Sequence, residues 1–69
     1  MNINWQTCFL NIRAAGISTR ALSKRIHMDP TTVQHFYRGE LREPKFSQGL
    51  AALDMHLAVC PDKHHELVR

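Results

Sequence analysis

Thr31, Gln34, His35 and Arg38 are spaced at three, four and seven residues, so a helix turning about 100° per residue lines them along one side. A hydroxyl, an amide, an imidazole and a guanidinium are the groups that hydrogen-bond base edges and phosphates of duplex DNA. A side that only met water would more often carry Glu and Lys. Val33, Phe36 and Tyr37 fall on the opposite side and are expected to pack inward. The spacing therefore predicts base readout by Thr31, Gln34 and His35, helped by Thr32. Gln prefers adenine through bidentate pairing, and threonine methyls can meet thymine methyls.

Two short helices have to position this stripe. Proline disfavours helical geometry in the residue before it and suits the first helical position, so Asp29 caps and Pro30 begins a helix that runs to Arg38. Gly39 closes that helix in the left-handed region. Upstream, Ser18 is an N-cap, and Leu22 and Ile26 lie one turn apart while Arg20, Lys24 and Arg25 reach water. This helix ends around His27, with Met28 plugging a sharp reversal into Asp29.

Charge supports the same surface. The chain carries nine Lys and Arg against six Asp and Glu, for a net +3. Residues 13–45 hold seven basic against three acidic side chains, or +4, and the remainder sums to −1. A positive middle suits phosphates. Ser18, Thr19 and Arg20 at the first helix start, Arg38, and Arg42 and Lys45 in the connector are the expected phosphate contacts, together with the amides at both helix starts. Glu40 and Glu43 work against the connector.

The run resembles the helix-turn-helix of the Cro and lambda-repressor type, a large group of small bacterial and phage DNA-binding proteins. The resemblance rests on Ile17, Ser18, Leu22, Ser23, Ile26, Asp29, Val33, Phe36, Arg38-Gly39 and Pro44, and covers roughly residues 5 to 59. Two positions depart from the family pattern. His27 stands where a turn glycine is usual, which requires the histidine to tolerate a left-handed or strained backbone at a cost of about 1 kcal/mol. Ser23 stands where a small alanine is usual, and a buried serine there can bond back to its own helix. The resemblance implies a cytoplasmic, dimeric regulator reading an inverted repeat of double-stranded DNA, with two recognition helices about 34 Å apart. Repression is the implied outcome, by covering a promoter. A helical module that binds a protein, such as an antitoxin-like or phage accessory factor, is the alternative.

The rest of the chain is read as support. Asn4 caps a helix from Trp5 to Ala15, whose Trp5, Cys8, Phe9 and Ile12 form an apolar stripe; Gly16 ends it, and Arg13 lies off the stripe within reach of a phosphate. Phe46, Leu50, Leu53 and Leu57 predict a fourth helix burying that side, with Gly49 allowing close packing. A last short helix starts at Pro61, and Leu67 and Val68 cover the core or form a dimer seam. Five helices without a strand pattern predict one all-α bundle over 1–69, small enough to bury only about 60% of its unfolded surface.

Other chemistries are weaker. Cys60, His64 and His65, with His56 and Cys8, contain two zinc-ligand types, yet no CxxC or HxxxH pair frames them, so no metal or other cofactor is expected. Cys8 reads as a buried hydrophobe, and His64 and His65 as exposed. Paired catalytic carboxylates, a phosphate-cradling loop and a GxSxG nucleophile are all missing, so neither an enzyme nor a small-molecule substrate is expected. No apolar run is long enough to span a membrane, and no secretory leader is recognisable, so a disulfide is not expected.

Overall fold

The computed structural model describes residues 3–68. Asn4 opens α1 (Trp5–Ala14) by accepting a hydrogen bond from the Thr7 amide at 3.2 Å. Ser18 does the same for α2 (Thr19–Ile26), accepting from Ala21 at 3.1 Å, and Asp29 for α3 (Pro30–Tyr37), accepting from Thr31 at 2.8 Å. A fourth helix, α4 (Phe46–Val59), and a 3₁₀ helix over Pro61–Leu67 complete five helical elements among the described residues. These residues contain no strand; one antiparallel bridge joins Ile3 to Val68, beside a 2.6 Å bond from the Asn4 amide to the Leu67 carbonyl. The fold is an all-α bundle in which α1 packs on α3 and α4, α2 on α3 and α4, and the 3₁₀ helix on α1 and α4.

Cys8, Phe9, Ile12, Leu22, Ile26, Val33, Phe36, Ala52 and Leu67 are fully buried, and the Phe9 and Phe36 rings stack at 4.7 Å between centroids. Met28 is buried in the reversal, as its plug role requires. Ser23, also buried, donates to the Arg20 carbonyl at 2.8 Å, so its hydroxyl is satisfied within its own helix.

His27 takes the left-handed conformation (φ 57°, ψ 49°), and the Met28 amide bonds back to the Ser23 carbonyl at 2.9 Å. The His27 carbonyl accepts from Gln48 Nε2 at 2.9 Å, tying the reversal to the start of α4. The imidazole itself is exposed, so only backbone strain is at stake. His27→Gly is expected to raise stability by about 0.5–1 kcal/mol in urea unfolding. An unchanged or lower midpoint would contradict that assignment of strain.

The fourth helix buries a different side from the one expected. Gly49, Ala52 and His56 face the core, while Phe46, Leu50 and Leu57 are exposed and Leu53 is half-buried. The small residues win because they admit neighbours closely. A Cβ on Gly49 would lie 3.0 Å from the Trp5 ring and 3.3 Å from Pro44. Large side chains at those positions would hold α4 off α1.

His56 is the buried polar group of this face. Its Nε2 lies 3.1 Å from Asn11 Nδ2, and its Nδ1 lies 3.0 Å from Nδ1 of His64. His64 is therefore half-buried against His56, contrary to its expected exposure, whereas His65 is exposed. The arrangement closes with a neutral His56: the Asn11 amide donates to its Nε2, and its Nδ1–H donates to Nδ1 of His64. A further proton sets two N–H groups against each other. Burial, then the charge of His64 and that of Lys63, hold His56 below the ordinary histidine pKa against an opposing pull from Glu66. An unfolded histidine takes its proton near pH 6.5, and the folded one resists it, so unfolding gains protons as pH falls. Stability from this site is complete above about pH 7 and declines through 6.5 toward the lower folded value, by at most about 1.4 kcal/mol per pH unit. Urea midpoints at pH 7.5 and 5.5 should differ in that direction, and His56→Asn should flatten the difference. A wild-type midpoint insensitive to this interval would contradict the neutral His56.

Candidate nucleic-acid interface

The turn chemistry of α3 aims its outer side. Its first turn is held by Asp29 and its last by Gly39 (φ 74°), where Gly39 N–H bonds to the Phe36 carbonyl at 3.1 Å and Glu40 N–H to the His35 carbonyl at 3.0 Å. Gln6 Nε2 caps the Tyr37 carbonyl at 3.0 Å from α1. With Val33, Phe36 and Tyr37 buried, the helix cannot rotate without opening the core. Thr31, Gln34 and Arg38 are consequently exposed, and Thr32 and His35 half-exposed.

The expected phosphate contacts divide into two groups. Thr19 from α2 and Gln34 and Arg38 from α3 line one shallow groove, joined by Arg13, Leu10 and Tyr37. Ser18 and Arg20 are exposed at the start of α2. Arg42 lines a separate recess with Trp5, Gln6 and Glu43, and Lys45 a third beside Phe46 and Leu50, so the connector does not join the Thr19–Gln34–Arg38 groove. Both connector side chains are exposed.

Three contacts around the groove were not visible in the helical spacing. Thr19 Oγ1 donates to the Tyr37 hydroxyl oxygen at 3.1 Å, which engages one hydroxyl expected for phosphate and leaves the phenol proton to donate onward. The Arg13 guanidinium lies 5.1 Å from the centre of the Tyr37 ring, a cation–π contact that keeps its charge over the groove. Glu40 folds back across Gly39 and accepts from His35 Nδ1 at 2.6 Å, with Arg38 Nη1 at 3.8 Å. The hydrogen bond from His35 lowers the Glu40 pKa most, and the charges of His35 and Arg38 add to it. A helix i,i+4 rule cannot find this pair, because the residues are five apart across a left-handed turn. With Nδ1–H engaged, His35 has Nε2 left for an outside group: an acceptor when the ring is neutral, a donor when it is charged.

The rival metal grouping does not assemble. Among the described residues no three His, Cys, Asp or Glu side chains come together so as to hold a metal ion. Cys8 and Cys60 are buried free thiols, Cys8 pushed up to about 12 by burial and then by Cys60, and Cys60 raised by burial. Cys8 Sγ instead contacts the Ala52 carbonyl at 3.8 Å. Among the same residues no helix is long and apolar enough to cross a membrane.

In comparisons with known proteins the chain matches no family model, no curated protein and no solved structure.

Proposed function

We propose that this chain is a sequence-specific regulator of the Cro and lambda-repressor type, with α2 and α3 as its helix-turn-helix and double-stranded DNA as its partner. The observation that carries the reading is the outer side of α3: Thr31, Gln34 and Arg38 exposed on a helix whose other side is locked into the core. Thr31, Thr32, Gln34 and His35 then read base edges. His35, held by Glu40 through Nδ1, presents Nε2 to base edges. Ser18, Thr19, Arg20, Arg38 and Arg13 grip phosphates around them, and Arg42 and Lys45 extend that grip from the connector. A homodimer would set two such helices about 34 Å apart over an inverted repeat. Repression in the cytoplasm follows from the resemblance rather than from geometry.

Fluorescence anisotropy against duplexes flanking the chain's own gene, at two salt concentrations, tests this. The expected result is tight binding to one short inverted repeat, with a log–log salt slope of several units. Weak binding that ignores sequence would favour the protein-binding module instead. Arg38→Ala should weaken binding to all duplexes alike and reduce the slope by about one unit. An unchanged slope would remove Arg38 from the phosphate contacts.

A further inference from the structure

Among the described residues, nothing packs on the side of α4 that carries its largest apolar residues. Phe46 is 82% exposed, Leu57 51% and Leu50 48%, with Leu53 half-buried beside them. Spacings of four, three and four keep these residues in one narrow stripe free of charge. Phe46 alone leaves on the order of 150 Å² of apolar surface bare. Ile3, Trp5 and Pro44 border the same recess as Phe46, Leu50 and Leu53, with Glu43 and Lys45 also lining it, so the apolar face is wider than the helix and carries one charge of each sign beside it.

The stripe is also symmetric, since four, three, four reads identically in both directions. We infer that it is covered by a second copy of this chain, with the two α4 helices antiparallel about a two-fold axis between Ala51 and Ala52. That register sets Phe46 of one copy against Leu57 of the other, and Leu50 against Leu53. Every large residue meets another, as a self-complementary interface requires. A helix of 14 residues is about 21 Å long. With the Ile3–Trp5–Pro44 border, the exposed fractions of these residues offer about 500 Å² per copy, roughly a tenth of the 4640 Å² surface and the lower end of what a specific dimer buries. The stripe shares no residue with the outer side of α3, so this pairing stands whether or not the chain binds DNA.

The test is light scattering and sedimentation of the full chain over a dilution series, with circular dichroism confirming each variant's helix content. Wild type should dimerise. Leu50→Lys and Leu53→Glu should each raise the dissociation constant roughly a hundredfold or more, because an isologous interface is struck twice. Mixing the two variants should restore a one-to-one heterodimer, since position 50 of one copy faces position 53 of the other. Mixing Leu50→Lys with Leu57→Glu should not. A wild-type chain monomeric throughout, a dimer indifferent to Leu50→Lys, or equal rescue by both mixtures would overturn the proposal; the first of these would leave the stripe to a different occupant.

Discussion

Gln34→Ala is expected to remove the chain's preference at one base position in each half-site while leaving preferences at the other positions intact. A bidentate amide–adenine pair discriminates by about 1–3 kcal/mol, or five- to 150-fold. Two copies on an inverted repeat strike that position twice, so affinity for the preferred duplex should fall by about 2–6 kcal/mol. The structure makes this a clean substitution. Gln34 is exposed on the outer side of α3, and its side chain forms no helix cap. The measurement is an anisotropy series against single-position operator variants. Equal weakening on every duplex would mean that Gln34 contributes only general attraction and reads nothing.

The second large effect is on stability. Phe36→Ala should destabilise the chain by about 3–5 kcal/mol, the usual cost of emptying a fully buried aromatic site. Phe36 stacks on Phe9 at 4.7 Å and joins α3 to α1, so the loss falls on the contact that holds the outer side of α3 in place. For a domain of 69 residues the total to be lost is only about 4–10 kcal/mol. The thermal midpoint should therefore drop by roughly 15–30 °C. DNA binding at ordinary temperature should weaken with it, through unfolding rather than through lost contacts. A drop below about 5 °C would show that α3 is held by something other than this aromatic pair.

Legibility in the sequence tracked how local the determining physics was. Asn4, Ser18, Asp29, Pro30 and Gly39 act within one turn of themselves, and the helix boundaries they imply are observed to within a residue. The sharp reversal followed from the two-residue gap between helices, whereas a left-handed His27 was suggested only by the resemblance, which has a turn glycine there. The burial of α4 did not follow, because Phe46, Leu50, Leu53 and Leu57 give a stronger periodic signal than Gly49, Ala52 and His56. Which side faces inward depended on how closely Trp5 and Pro44 approach, and that is a fact about residues distant in the chain. The His56–His64 pair, the Thr19–Tyr37 bond and the Glu40 clamp on His35 are likewise contacts across turns or between helices. Around α3, the outer stripe was readable from spacing alone; the groups that tune it were not.

The most direct measurement is an amide chemical-shift map of the labelled chain titrated with duplex DNA flanking its own gene. Movements concentrated at residues 18–20 and 31–38, with the Gln34 side-chain amide among the largest, are the predicted result. An unperturbed α3, or movements confined to residues 46–57, would contradict the assignment of that helix to DNA.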